Sequence, residues 1–182
     1  MNILILSDTV SAHSLADPLK NLGYHPETVI IDNASIKPCI GCFGCWIKTP
    51  GRCVLKQQDG AEKISEAFIR AGTVVIVSRI CYGSFSPEIK SFMDRNIPLI
   101  LPFFTYINNE MHHKKRYPSY PALASIGYGA ASPEEETTFA NLLERNALNL
   151  HAKKHGSLRV DSAAQIPETL SWIESFCKGD TL

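Results

Sequence analysis

The chain lacks any excess of charge of one sign. Lys+Arg and Asp+Glu both count 18 among its 182 residues, so the formal net charge at pH 7 is zero. A protein without a net basic field does not attract nucleic acid or an anionic membrane over long range. The basic run at residues 112–116 is too short to supply such a field. We therefore expect neither nucleic acid nor a membrane among its partners.

Long apolar runs are also missing. No stretch approaches the roughly 20 residues that a helix needs to cross a bilayer. Residues 1–6 have no basic segment before them and no small-residue cleavage site after them, so they do not resemble a signal peptide. We expect a cytoplasmic protein, whose six cysteines are thiols or metal ligands rather than disulfides.

Two common nucleotide-binding signatures are absent. The sequence contains no G-x-G-x-x-G and no Walker motif, so dinucleotide or ATP binding in those modes is not expected. Internal repeats, low-complexity tracts and a linker-like stretch are missing as well. The length and this uniform organisation predict a single domain over residues 1–182.

What the sequence does contain is a regular alternation of short apolar runs and helix-like segments. This alternation predicts an α/β fold with a five-stranded parallel sheet in the flavodoxin-like order 2-1-3-4-5 and helices on both faces. Residues 98–120 show no clear period and are predicted to be a long excursion, the best candidate for a swapped or interface loop. The predicted strands are 3–6, 28–31, 73–77, 122–126 and 157–160. The predicted helices are 14–22, 61–70, 87–95, 133–150 and 167–176.

Ligands of such a sheet bind outside the carboxyl ends of its strands, at the point where the strand order reverses. The loop at residues 7–14 follows the first strand and contains four hydroxyl side chains before a helix begins. Hydroxyls and free backbone N–H groups together suit a phosphate monoester. Helix capping is the alternative, although it needs only one of those hydroxyls.

Two further loops reach the same edge of the predicted sheet. In the loop at residues 79–87, a planar ring could stack on Tyr82 or lie against the backbone at Gly83, or its aromatic residues could pack on the core. In the loop at 127–130, small residues around Tyr128 allow a ligand to approach the backbone closely, or serve a turn that needs positive φ. The convergence of three loops at one edge favours a ligand site.

A cysteine cluster stands between the second predicted strand and the second predicted helix. Its members form the pattern C-x2-C-x2-C-x7-C, and four thiolates bind either zinc or a [4Fe–4S] cluster. The spacing is closer to a cluster-binding pattern than to paired zinc knuckles. Because Phe43 and Trp46 stand among the thiols, an apolar lid of reduced or redox-active thiols is the remaining alternative. The four residues are Cys39, Cys42, Cys45 and Cys53.

Two segments together resemble a known family. Residues 38–46 with 50–53, and residues 82–95, are similar to NADPH-dependent FMN reductases and iron–sulfur flavoproteins of the flavodoxin-like superfamily. The resemblance implies FMN as cofactor and NAD(P)H with a small-molecule electron acceptor as substrates. It also implies a homodimer or homotetramer. In the iron–sulfur branch, the four clustered cysteines would hold a [4Fe–4S] cluster.

The resemblance also assigns roles to the three loops. It places the FMN phosphate in the first loop, and the isoalloxazine ring between the loops after the third and fourth strands. The implied phosphate contacts are Ser7, Thr9, Ser11, His13 and Ser14. The implied ring contacts are Ile80, Cys81, Tyr82, Gly83 and Ser84, with Gly127 and Tyr128 opposite.

Three functional hypotheses follow. The first is an FMN-dependent NAD(P)H oxidoreductase of the flavin- or quinone-reductase kind. The second is an electron carrier that uses both FMN and an iron–sulfur cluster. The third is a flavodoxin-like module that has lost flavin. This hypothesis arises because Asp8 in the first loop would repel a phosphate dianion unless the carboxylate points away from it.

Overall fold

A computed structural model of the protein describes residues 1–32, 36–55 and 59–179. Within these ranges, seven strands form a five-stranded parallel sheet and a separate antiparallel hairpin. The sheet order is β2-β1-β3-β6-β7, which confirms the predicted flavodoxin-like order once the two hairpin strands are left out of the numbering. The strands are β1 (Asn2–Ser7), β2 (His25–Ile30), β3 (Thr73–Arg79), β4 (Ile100–Ile107), β5 (Glu110–Lys115), β6 (Ala122–Tyr128) and β7 (His155–Val160).

Helices cover both faces of the sheet, as the alternation predicts. On one face, Phe68, Phe92 and Leu143 from three different helices pack against alternate residues of β1, β3 and β6. On the other face, Leu19 and Phe176 pack against the intervening strand residues. The central strands are therefore apolar on both sides, which explains their continuous hydrophobic runs. The helices are α1 (Ala16–Asn21), α2 (Gly44–Ile47), α3 (Ala61–Arg70), α4 (Pro87–Asp94), α5 (Pro133–Asn149) and α6 (Leu170–Lys178).

The predicted starts of two helices, at residues 87 and 133, are confirmed, and a capping serine precedes each. The Ser86 hydroxyl accepts from the N–H of Ile89 at the start of α4, and Ser132 forms a reciprocal capping box with Glu135 at the start of α5. The first and last predicted helices each begin with a 3-10 turn, at Val10–Leu15 and Ala163–Thr169, before the α-helix proper.

Residues 98–120 leave the main sheet as an excursion, but they fold into a regular hairpin that the missing period did not indicate. Its strands β4 and β5 pair antiparallel, with Ile107 opposite Glu110. The turn between them places Asn108 and Asn109 at φ 50° and 64°. Asparagine tolerates this left-handed conformation, and two such residues in succession make the turn type that hairpins prefer. The Asn-Asn pair was the sequence signal for the turn.

Among the described residues, no helix combines the length and the apolar composition that spanning a membrane requires.

Candidate functional site

The carboxylate of Asp8 joins the three loops at the carboxyl edge of the sheet. One oxygen accepts from the backbone N–H of Arg79 at 2.9 Å, and the other accepts from the Tyr128 hydroxyl at 3.0 Å. The end of β1 is thereby tied to the ends of β3 and β6. Burial and the neighbouring Asp8 carboxylate raise the pKa of Tyr128, so its hydroxyl keeps the proton that it donates. Sequence reasoning identified the convergence of the loops but not the side chain that produces it.

The hydroxyls of the first loop are largely engaged with the loop's own backbone. Ser7 is fully buried, and its hydroxyl donates to the Thr9 carbonyl while accepting from the Thr9 N–H. Thr9 caps the following 3-10 turn by accepting from the N–H of Ser11. Ser7 therefore braces the loop and presents no free donor. His13 and Ser14 are exposed, and Thr9 and Ser11 are partly exposed.

The loop after β3 begins with a tight four-residue turn that presents an aromatic side chain to solvent. Cys81 and Ser84 exchange two backbone hydrogen bonds of 2.9 Å. Between them, Tyr82 and Gly83 lie at φ 52° and 73°. The Tyr82 side chain is 96% exposed, although a tyrosine is rarely held in this conformation on a bare surface. This exposure excludes the alternative in which Tyr82 packs on the core, whereas Phe85 does pack there.

The other residues predicted to contact the isoalloxazine ring differ in how deeply they are buried. The N–H of Ile80 donates to the Tyr128 carbonyl at 2.9 Å, which links the two loops directly. A side chain at Gly127 would collide with Ile80 and Phe139 at 2.8–3.0 Å, so glycine is required there for packing. Ile80, Gly83 and Gly127 are buried, whereas Cys81, Ser84 and Tyr128 are partly exposed and can face a ligand.

The cysteine cluster is separated from each of these loops by more than 20 residues of sequence. Trp46, which lies within it, anchors the segment to the rest of the fold. The indole N–H donates to the carbonyls of Ile97 and Ile100 at 3.2 and 3.0 Å. The same ring contacts His113 of the hairpin, at 4.8 Å between centroids. Trp46 is also one of the partly buried residues that pack against the core, whereas Phe43 is 49% exposed.

All four clustered cysteines line one small cavity, with about 20 Å³ of free space. Cys39 and Cys42 are exposed and Cys53 is half-buried. Burial, followed by the proximity of Cys53, raises the pKa of the buried Cys45 thiol to about 11. Within the described part of the chain, no three Cys, His, Asp or Glu side chains are arranged to hold a metal ion. The thiols therefore share a cavity without forming a closed ligand set.

The four cysteines lie in the segment between Lys37 and Asp59, called here the cysteine loop. A buried ion pair closes the base of this loop. Arg95 and Asp59 are joined by two hydrogen bonds of 2.8 and 3.3 Å, and their side chains are 1% and 3% exposed. Lys37, at the other end of the loop, donates its N–H to Asp59 and accepts from Arg95 through its carbonyl. Burial opposes the ionisation of Asp59, but the bonds from Arg95, Lys37 and Ala61 outweigh it and lower its pKa. The two ends of the loop are thus held together by one carboxylate.

No protein-family profile matches the chain, but individual proteins do. Over 80 residues it is 31% identical to an iron–sulfur flavoprotein of Archaeoglobus fulgidus. Over 81 residues it is 30% identical to an iron–sulfur flavoprotein of Methanocaldococcus jannaschii. Each match covers 44% of this chain but only 34% and 40% of the two relatives. The predicted resemblance to iron–sulfur flavoproteins is confirmed over that segment.

Solved structures match the fold over nearly the whole chain. An NAD(P)H:quinone oxidoreductase from Methanothermobacter marburgensis superimposes with a TM-score of 0.63 at 12% identity, covering 96% of this chain and 97% of that one. An FMN-dependent NADH-azoreductase from Bacillus anthracis gives a TM-score of 0.60 at 13% identity, with 98% of each chain covered. The fold is therefore flavodoxin-like, as the sequence predicts.

Proposed function

We propose that this protein is an FMN-dependent NAD(P)H oxidoreductase of the quinone- or azoreductase kind. The observation that carries the proposal is the assembly of three loops around Asp8, one of which exposes the ring of Tyr82. In a parallel sheet of this order, that edge is where a ligand binds. The fold shared with FMN-dependent enzymes and the sequence similarity to iron–sulfur flavoproteins both support a flavin there.

The residues present fit a flavin ring. Tyr82 offers an exposed aromatic face for stacking, and Cys81 and Ser84 stand partly exposed beside it. A planar ligand also needs backbone that it can approach closely. Gly129 supplies this on the opposite loop, since a methyl group there would meet only the Arg79 side chain at 3.7 Å.

The first loop is compatible with a phosphate because Asp8 points away from the loop's exposed side. Its two oxygens accept from Arg79 and Tyr128 at the ends of the neighbouring strands, so the carboxylate serves the sheet edge rather than facing a ligand. The exposed side chains near the phosphate position are then His13 and Ser14, with Ser11 partly exposed. The Ser14 hydroxyl donates to the Ser11 carbonyl at 2.6 Å, so it would have to leave that acceptor to bind a phosphate. This arrangement argues against the hypothesis that the module has lost flavin.

FMN, when bound, would supply the hydride chemistry between NAD(P)H and the acceptor. The protein's own residues hold the ring at the sheet edge and fix the three loops relative to one another. Tyr128, kept protonated by burial, can donate a hydrogen bond but cannot act as a base at neutral pH.

Titration of the purified chain with FMN, followed by flavin fluorescence and then by reduction with NADPH or NADH, tests this proposal. We expect one FMN to bind per chain and to be reduced by a nicotinamide cofactor. If FMN binds but neither cofactor reduces it, the enzyme proposal fails and an electron carrier is supported instead.

A second function is favoured by a separate observation: four thiols and a buried arginine line one cavity. We propose that Cys39, Cys42, Cys45 and Cys53 hold a [4Fe–4S] cluster, which would supply one-electron transfer beside the flavin. Among the described residues, the buried Nε–H of Arg95 in that cavity has no hydrogen-bond partner, so it suits an anionic group such as a metal–thiolate cluster. The exposed Cys39 and Cys42 would have to close onto the cluster when it binds.

Anaerobic reconstitution with ferrous iron and sulfide tests the cluster proposal. We expect about four irons per chain in the wild type, and loss of iron binding when Cys45 and Cys53 are both replaced by serine. Replacing Cys177, which lies on α6 near Thr73, should leave iron binding unchanged. A wild-type chain that takes up no iron under these conditions would contradict the proposal.

A further inference from the structure

Arg95 is a buried cation whose three nitrogens differ in their hydrogen bonding. Its two terminal nitrogens are occupied by the Asp59 carboxylate and the Lys37 carbonyl. Its Nε is buried and, among the described residues, has no hydrogen-bond partner. A buried donor without a partner costs free energy, so its persistence calls for an acceptor that completes the site.

The surroundings of Arg95 indicate what that acceptor is. Arg95 lines the same cavity as the four clustered cysteines. Arg95 and Cys53 also line a second cavity together, next to α3. The cation that carries the free donor therefore shares both cavities with Cys53.

The Asp59 carboxylate also fixes the direction of this donor. A guanidinium is planar, so the fork of bonds to Asp59 and the bond to Lys37 set the orientation of the whole group. Lysine could supply the same charge but not the same directed N–H. An Arg95→Lys substitution therefore separates the effect of the charge, which it keeps, from the effect of the directed hydrogen bond, which it removes.

We propose that Arg95 donates its Nε–H to sulfur at Cys53 when the cysteine loop holds its iron–sulfur cluster, and so stabilises the cluster's negative charge. A cluster with four thiolate ligands carries excess negative charge, and an N–H donor directed at a ligand sulfur stabilises that charge in a half-buried cavity. Hydrogen bonds to cluster sulfurs also raise its reduction potential. This inference rests on the cluster proposed above.

The direct test uses the wild-type chain. Protein grown with ¹⁵N-arginine is reconstituted anaerobically with iron and sulfide, reduced, and measured by pulsed EPR. We expect a ¹⁵N hyperfine coupling to the reduced cluster. The coupling should persist in labelled Arg52→Lys protein, because Arg52 is largely exposed and pairs with Glu62. It should vanish in labelled Arg95→Lys protein. A cluster signal without ¹⁵N coupling in the wild type overturns the proposal.

Release of iron to a chelator gives an independent readout. Loss of a partner outside the ligand set typically weakens metal binding by about 10-fold or more, so Arg95→Lys should lose iron about 10-fold faster than the wild type. The reduction potential of the cluster in Arg95→Lys should be more negative than in the wild type. Arg52→Lys, the same substitution one residue before Cys53, should match the wild type in both measurements.

The two proposals fail in different ways. If the wild type takes up no iron, the cluster proposal fails and the role of Arg95 fails with it. If the wild type binds the cluster but Arg95→Lys retains both its potential and its rate of iron release, only the role of Arg95 is overturned.

Discussion

Tyr82 is the residue whose environment points most directly to a ligand. It is 96% exposed, yet a tight turn and a left-handed backbone hold it in place. An exposed aromatic ring on a rigid turn loses little entropy when it stacks against a planar ligand. The sequence placed Tyr82 in a ligand-facing loop but could not decide between solvent and core, because both fates suit an aromatic residue after a buried strand.

Replacing Tyr82 by alanine should weaken FMN binding without affecting stability. Loss of one aromatic stacking contact is worth about 0.5–1.5 kcal/mol, which is up to about 10-fold in the dissociation constant. Stability should not change, since the ring is exposed and alanine retains the same Cβ strain at φ 52°. Fluorescence titration with FMN and thermal unfolding measure the two effects. Phe103→Ala, which removes another exposed aromatic ring, is the control. Equal FMN affinity in wild type and Tyr82→Ala would exclude stacking on this ring.

Asp8 determines how the three loops meet, so its removal should loosen the site. An Asp8→Asn substitution places an amide where a carboxylate accepts from Arg79 and Tyr128. We expect a loss of about 1–3 kcal/mol in the free energy of unfolding, because two charge-assisted hydrogen bonds are weakened. Urea denaturation measures it, with Asp17→Asn as control, since the Asp17 side chain is 86% exposed. A loss no larger than that of the control would show that Asp8 does not hold the loops.

At the scale of elements, the cysteine loop is defined by the ion pair at its base. The Asp59 carboxylate accepts from the N–H of Ala61 at the start of α3. The same carboxylate also bonds Lys37 and Arg95. No local pattern could reveal these partners, because Lys37 and Arg95 are 22 and 36 residues away in the chain.

Asp59→Asn should destabilise the protein strongly at neutral pH. It leaves Arg95 as a buried cation without its counterion, for which about 3–5 kcal/mol is typical. The folded-state pKa of Asp59 is lowered, so its contribution is fully present above the unfolded value of about 3.9 and is lost as pH falls through the folded value. The difference between wild type and variant should therefore shrink in acid. Urea denaturation at neutral and acidic pH measures this, and a difference that does not depend on pH would contradict it.

The hairpin shows the limit of reading elements from periodicity. The three central strands of the sheet were found because burial on both faces makes them continuously apolar, as in the fully buried Val74–Val77 segment. The edge strands β2 and β7 are only partly buried and carry shorter apolar runs. β4 and β5 carry a mixture of aromatic, polar and basic residues, since one side of the hairpin stays exposed. They form strands because they pair with each other, and neither sequence alone has a pattern that identifies a strand.

At the scale of the whole molecule, the exposed face of the hairpin is the strongest indication of self-association. Phe104, Tyr106 and Met111 lie on one side of it, with Tyr106 directly opposite Met111, and their exposure is 56%, 77% and 61%. Such a patch on a protruding element commonly marks a protein interface. We therefore propose a homo-oligomer that buries this face.

Replacing Tyr106 and Met111 together by serine should lower the oligomeric state. The removed side chains would otherwise be buried between copies of the chain, so association should weaken while the fold persists. Sedimentation velocity over a range of concentrations measures this. Leu22→Ser is the control, because it removes an exposed apolar side chain at the end of α1. A wild-type chain that sediments as a monomer at all concentrations would exclude the proposed interface.

The flavin site is the central claim, and binding of FMN to the wild-type chain tests it most directly. Titration of the full chain, purified anaerobically and followed by flavin fluorescence, should show saturable binding of one FMN per chain. Tyr82→Ala should bind more weakly at unchanged stability. If the wild-type chain quenches no flavin fluorescence even at high micromolar FMN, the three loops around Asp8 do not form a flavin site and the proposed function is wrong.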